Sequence, residues 1–257
     1  MDRQKLATLF DLTGRTAIVT GGTRGIGRAI AEGFVASGAN VVVASRKADA
    51  CAETEAHLKA IGPGDALGVP THLGEIDGVN HLVAATVERF GGVDIVVNNA
   101  ATGLTQPLGE FTLDAWDKQF AVNLRGPVFL IQAALPYLER SEHAAVVNVI
   151  SAGAFLASTP VSMYAAAKAA LMSFTRAMGA DFAARGIRVN ALAPGTVDTD
   201  MVRNNPPEAQ ARMAAASPMK RAAHPDEMVG PVLLLASDAG SFMTGQVILA
   251  DGGMVPH

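Results

Sequence analysis

The chain has 257 residues, 49% of them hydrophobic and 17% charged, with a formal net charge of −4. That is enough apolar material for one large core, and the acidic balance argues against a nucleic-acid footprint, which needs a basic stripe. A single cysteine, Cys51, excludes an intramolecular disulfide; with no apolar leader and no apolar run of eighteen residues, a cytoplasmic location is the expectation.

Along the chain, short β-branched runs alternate with longer Ala-rich stretches. A strand over 16–20 leads into a glycine-rich turn, Thr20 to Gly27, and then a helix over 25–37. Gly21, Gly25 and Gly27 bracket that turn. Glycine lets a ligand approach the backbone closely, and a helix N-terminus presents free N–H groups to a pyrophosphate. The turn can also be a plain strand-to-helix link; its place after the first strand of an alternating fold favours dinucleotide binding.

A second strand over 41–44 ends in Ser45, Arg46 and Lys47. A site for an unmodified ribose usually places a carboxylate here; hydroxyl and cationic groups suit a 2′-phosphate instead. Arg24, inside the glycine turn, is a second guanidinium for the same phosphate, so NADP(H) is the expected cofactor. Solvated surface charge is the alternative reading of both arginines. Cys51 falls in the helix over 49–60 without a neighbouring base and reads as structural.

Further strands are expected over 67–70, 95–98, 145–150, 188–192 and 247–249, and helices over 75–90, 113–140, 164–185 and 225–236. The long helix is expected to break near Asn123 into two. Continuous apolar runs suit strands buried on both faces. The alternation predicts a single α/β domain over 1–257: a doubly wound parallel sheet of Rossmann type, with about seven strands and helices on both faces. Residues 196–220 fit the alternation poorly and read as a substrate flap.

Tyr164 and Lys168 lie four residues apart on an expected helix and share one face. A carbonyl that receives a hydride needs a proton, and a phenol can give it. Its ordinary pKa of about 10 falls when a cation stands beside it. Tyr137, the other tyrosine, has Ser141 rather than a cation at that spacing. Ser151 closes a strand thirteen residues before Tyr164 and could steady a developing oxyanion. The six histidines, 57, 72, 81, 143, 224 and 257, lack paired ligand spacing, so no metal is expected.

The Thr-Gly-x-x-x-Gly-x-Gly turn and the Tyr-x-x-x-Lys pair resemble the short-chain dehydrogenase/reductase family over almost the whole chain. The resemblance implies a catalytic set of Asn123, Ser151, Tyr164 and Lys168, with Asn123 holding a water in a proton relay and Lys168 also holding the nicotinamide ribose. It implies cofactor contacts from Gly21, Thr23, Arg24, Gly25, Ile26, Gly27, Ser45, Arg46, His72, Leu73, Asn99, Ala100, Ala101, Tyr164, Lys168, Pro194, Gly195, Val197 and Thr199. Two positions depart from the family pattern. Ala101 replaces a glycine in the segment from Asn98 to Ala101, and His72 stands where many members carry an adenine-binding aspartate.

Ser151, Phe155, Tyr164 and Met201 are the expected substrate contacts, with Leu104, Leu156, Val202 and Met213 lending an apolar lining. The implied reaction interconverts a small-molecule ketone or aldehyde and an alcohol. Reduction of a 3-oxoacyl group on an acyl carrier protein is an alternative, although the family's basic carrier-docking positions align by eye with Leu130 and Ala180. A dehydratase or isomerase, and a non-catalytic NADPH-binding regulator, are further readings. The family also implies a homodimer built on the 113–140 and 164–185 helices, and a homotetramer with the tail near 251–253.

Overall fold

A computed structural model describes residues 1–2, 5–6, 8–157 and 159–255. Pro256 and His257 of the C-terminal tail lie outside the described residues. The strands are β1 (Thr16–Thr20), β2 (Asn40–Ser45), β3 (Ala66–Pro70), β4 (Ile95–Asn98), β5 (Ala145–Val149), β6 (Arg188–Pro194) and β7 (Val247–Ala250). They form one sheet in the order β3-β2-β1-β4-β5-β6-β7, every described pair parallel. The chain winds outward from β1 to β3, then returns to place β4 on the other side of β1. That reversal opens a crevice between β1 and β4 at the carboxyl ends of the strands, where such sheets bind ligands.

The helices are α1 (Gly25–Ala36), α2 (Ala48–Ile61), α3 (Ile76–Phe90), α4 (Leu113–Phe120), α5 (Gly126–Leu138), α6 (Ser162–Asp181), α7 (Asp200–Arg203), α8 (Pro207–Ala215) and α9 (Val229–Ala236). Successive strand residues point to opposite faces. Ala17, Val19, Val41 and Val43 therefore pack on Ile30 and Phe34 of α1 and Val232 and Leu235 of α9. Ile18, Val42 and Val96 pack on Val79 and Leu82 of α3 and Leu130 and Ile131 of α5. Each face is covered by helices, which explains why the strand sequences are apolar without alternation.

The break expected at Asn123 is a wider coil instead. α4 runs into α5 through a single π-helical turn, Ala121–Arg125, in which the Gly126 amide bonds the Ala121 carbonyl five residues back. Pro127 explains it. Four residues after Asn123, it has no N–H for the Asn123 carbonyl, and its ring would clash with that carbonyl in an α-helix. An extra residue in the turn relieves the clash without ending the helix.

The expected flap is also more ordered than its Asn- and Pro-rich sequence implies. It consists of α7 and α8, and an isolated bridge between Val197 and Ala223 closes its base. The Thr196 hydroxyl donates to the Met213 carbonyl at 2.9 Å, tying α8 to the end of β6.

Candidate active site

The glycine turn shows why it needs three glycines. Gly21 and Gly25 have φ of 65° and 53°, which side chains disfavour. A Cβ on Gly27 would lie 2.3 Å from the Gly21 carbonyl oxygen, so the first turn of α1 sits directly on the loop. No side chain caps α1, which leaves its first N–H groups for an anion. The Thr20 hydroxyl donates to the Val97 carbonyl at 3.2 Å and accepts from the amides of Asn99 (3.0 Å) and Ala100 (3.1 Å). The Asn99 side chain donates to the Thr20 carbonyl at 2.9 Å. One hydroxyl and one amide thus lock the ends of β1 and β4 together at the crevice.

Ser45 and Arg46 lie at the carboxyl end of β2, with Arg46 exposed. Among the described residues no hydrogen bond or ion pair engages its guanidinium. Arg24 is also largely exposed, but it pairs with Asp200 of α7 at 3.0 Å. Arg24 therefore links the glycine turn to the flap, and Asp200 competes for it with any phosphate. At the end of β3, His72 accepts from the Gly74 amide at 3.2 Å through Nδ1 and stays half-exposed. Leu73 is buried, and α5 crosses so close above it that a Cβ on Gly126 would lie 2.3 Å from the Leu73 carbonyl oxygen. Gly195 meets the chain after β7 equally closely: a Cβ there would lie 2.7 Å from the Asp251 Cα. The Thr199 methyl stands 3.0 Å from where a Gly25 Cβ would be, which brings the 194–199 segment onto the phosphate turn.

The polar centre stands beside this crevice. Asn98 donates to Asn148 at 2.9 Å, and Asn148 to Thr175 at 2.9 Å, carrying a buried chain of hydrogen bonds from β4 through β5 to α6. Lys168, 1% exposed, donates from Nζ to the Val149 carbonyl at 2.7 Å and lies 5.7 Å from the centroid of the Tyr164 ring. Burial pulls its pKa down to about 8. Tyr164 is pushed up to about 12, because burial outweighs the Ser151 hydroxyl acting the other way. The expected lowering of the phenol by Lys168 is absent from this structure: desolvation raises it, and Ser151 is the group that lowers it. Ser151 begins the segment after β5, where its hydroxyl accepts from the Gly153 amide at 3.1 Å. Asn123 is fully buried in the π turn. Its side chain accepts from the Thr102 amide at 2.9 Å and donates to the Thr102 carbonyl at 2.7 Å.

The remaining expected contacts fall around this centre. Phe155 packs against Ile150 and Leu171, so its ring belongs partly to the core. Met201 reaches from the flap over the loop after β4, its sulfur 3.7 Å from where a Gly103 Cβ would stand. Leu130 is 0% exposed. It faces α3 and the sheet and cannot present anything to a carrier protein, so the alignment that counted against an acyl-carrier substrate loses that residue. Sequence reasoning also passed over Thr20, Gln119 and Asp200 as site residues, and over Asn148 and Thr175. Among the described residues, no group of three or more His, Cys, Asp or Glu side chains is placed to hold a metal ion.

A parallel sheet with a glycine turn at its reversal and a buried lysine beneath a tyrosine belongs to the dinucleotide-binding α/β oxidoreductases. A family model described as enoyl-(acyl carrier protein) reductase matches residues 21–255. The chain is 38% identical over 251 residues to a rhamnolipid-biosynthesis 3-oxoacyl-[acyl-carrier-protein] reductase of Pseudomonas aeruginosa, covering 95% of this chain and 97% of the relative. Its fold superposes with a TM-score of 0.89 on a 3-oxoacyl-(acyl-carrier-protein) reductase of Agrobacterium tumefaciens with NADP bound, at 38% identity over 98% of this chain and 100% of that one. A Pseudomonas aeruginosa active-site complex with NADP gives the same TM-score at 37% identity, covering 96% of this chain and 98% of that one. The chain belongs to the short-chain dehydrogenase/reductase family of oxidoreductases.

Proposed function

We propose that the protein uses NADP(H) to interconvert a ketone or aldehyde and an alcohol, with Tyr164 as the proton donor and acceptor. The observation that carries this reading is the juxtaposition of Ser151, Tyr164 and buried Lys168 at the carboxyl ends of the strands beside the glycine turn. The residues fit the cofactor. The uncapped start of α1, seated against the Gly21 turn because Gly27 has no side chain, accepts a pyrophosphate, and Ser45 and Arg46 accept a 2′-phosphate. Thr23, Ile26, Ala101, Pro194 and Val197 complete the walls of that cleft, and His72 sits at its adenine end.

When bound, the cofactor supplies or takes the hydride. Ser151 and Tyr164 hold the substrate oxygen between their hydroxyls. Tyr164 passes its proton to that oxygen as negative charge builds there, and the Lys168 ammonium stabilises the phenolate left behind. Pro127 denies the Asn123 carbonyl its helical donor, which suits that carbonyl to hold a water that returns a proton towards Lys168. Met201, Phe155 and the 101–106 loop border the substrate, and the flap over 196–220 closes on it.

A second reading, reduction of a 3-oxoacyl thioester carried on an acyl carrier protein, is favoured by the activity that two similar proteins carry in their names. Following NADPH and NADH absorbance in parallel against ketones, aldehydes, a 3-oxoacyl thioester and an enoyl thioester separates these readings. Carbonyl-dependent NADPH oxidation supports the proposal. Tight NADPH binding with no turnover of any of them leaves the non-catalytic regulator, and substrate conversion without an absorbance change points to dehydration or isomerisation.

Apolar side chains left exposed on one flank argue for self-assembly. Leu113 (83% exposed) and Trp116 on α4, Phe129 on α5 and Phe174 on α6 lie on the helices expected to pair across a homodimer. Phe242 and the tail near 251–253 supply a further surface for a homotetramer. Monomeric mass in light scattering contradicts both assemblies.

A further inference from the structure

The loop after β4 has little backbone holding it. Among the described residues, no backbone–backbone hydrogen bond involves residues 101–106. What holds them comes largely from below: Asn123 grips both the amide and the carbonyl of Thr102, and the Gln119 Oε1 accepts from the Leu104 amide at 3.0 Å. Gln119 and Asn123 are one helical turn apart, at the end of α4 and in the π turn, and both are 0% exposed. Among the described residues, Gln119 Nε2 is buried without a partner. A buried amide with an idle donor costs desolvation that Leu or Met at the same place would not incur. The feature it secures is the Leu104 amide, next to Gly103, over which Met201 of the flap lies.

We propose that Gln119 is a positioning residue for the substrate side of the cleft. With Asn123 it clamps the 102–104 backbone beneath Met201 and so fixes the width of the pocket that receives the carbonyl compound. Gln119 touches neither hydride nor proton; it acts through the loop. The assignment of a pocket rests on the carbonyl-reductase reading above, whereas the clamp itself does not.

The test uses the full-length Gln119→Met variant, which keeps the length of the side chain and removes its acceptor. Hydrogen–deuterium exchange of the peptide over 102–106 needs no turnover and reads the clamp directly. The Leu104 amide is expected to exchange at least about ten-fold faster, with the rest of the chain unchanged. In the steady state, KM for a ketone is expected to rise about two- to ten-fold, as for one lost hydrogen bond, with kcat and the NADPH Kd unchanged. Gln119→Glu retains an acceptor and is expected to restore slow exchange. Unchanged exchange and unchanged KM in Gln119→Met overturn the proposal, as does a parallel loss of NADPH affinity and faster exchange across the whole chain. If Gln119→Met does not fold, Leu104→Pro removes the donor from the loop side and leaves α4 intact. Compared with Leu104→Ala, it must raise KM; equal KM values overturn the clamp. Absence of turnover in the wild-type protein, with faster exchange in the variant, overturns the carbonyl reading and leaves the clamp standing.

Discussion

The floor of the site and its cover are built differently. In the floor, Asn98, Asn148, Thr175 and Lys168 are buried, and each is hydrogen-bonded to strand or helix. In the cover, the flap is held by exposed ion pairs, Arg24 with Asp200 and Arg203 with Asp198, and the loop after β4 hangs on two buried side chains, Asn123 and Gln119. Buried networks are costly to break, whereas exposed pairs contribute about 0–1 kcal/mol each. Chemistry that must be placed to within fractions of an ångström therefore sits on the rigid floor. The proposed selection of the substrate falls to the flap, whose exposed ion pairs can change at small cost to the fold.

The largest effect that sharpens this contrast is expected from the floor. Tyr164→Phe removes the proposed proton donor and keeps the ring, so turnover is expected to fall by about 10²–10⁴ with NADPH affinity retained. Turnover and cofactor titration on the same preparation check it. Thr175→Val breaks the buried chain from β4 to α6 and leaves the Asn148 Nδ2 donor without its acceptor. A loss of about 1–3 kcal/mol of stability in urea unfolding is expected, far from any substrate contact.

A pH profile tests the floor without mutation. Burial pulls the Lys168 pKa down to about 8 and pushes that of Tyr164 up to about 12. Below about 8 the ammonium is charged and, in the proposed mechanism, stabilises the phenolate as the proton leaves. As pH rises through about 8 that charge is lost while Tyr164 stays protonated, so kcat/KM for reduction is expected to decline on the alkaline side. A profile flat to pH 10 contradicts this assignment. The smallest effect belongs to the cover: Asp200→Asn frees Arg24 and removes a carboxylate facing the phosphate site. NADPH affinity is expected to rise about two- to five-fold over NADH, with a melting point shifted little, by calorimetric titration of both nucleotides.

How far each region could be read from the amino-acid sequence follows the same divide. The strands, and Ser151, Tyr164 and Lys168 as candidates, were legible because they obey local rules: apolar runs for buried strands, a Tyr–Lys spacing of one helical turn, a serine at a strand end; Asn148 and Thr175 of the floor carry no such local signal. The π turn was read as a break, although the missing N–H of Pro127 four residues beyond Asn123 carries the signal for a widened coil. The cover was least legible. Nothing near Arg24 in sequence points to Asp200, 176 residues away, and Gln119 in α4 reads as an ordinary polar helix residue until the fold brings the Leu104 amide above it. Leu130 shows the reverse error, in which an alignment position was taken for surface and proved to be core.

The most direct test of the account is NADPH absorbance with wild-type protein and Tyr164→Phe side by side, on the best carbonyl substrate from the compounds above. The account predicts oxidation of NADPH by the wild type, slower with NADH, and a loss of at least about a hundred-fold in the variant at unchanged NADPH affinity. Turnover in Tyr164→Phe within a few-fold of wild type would contradict it.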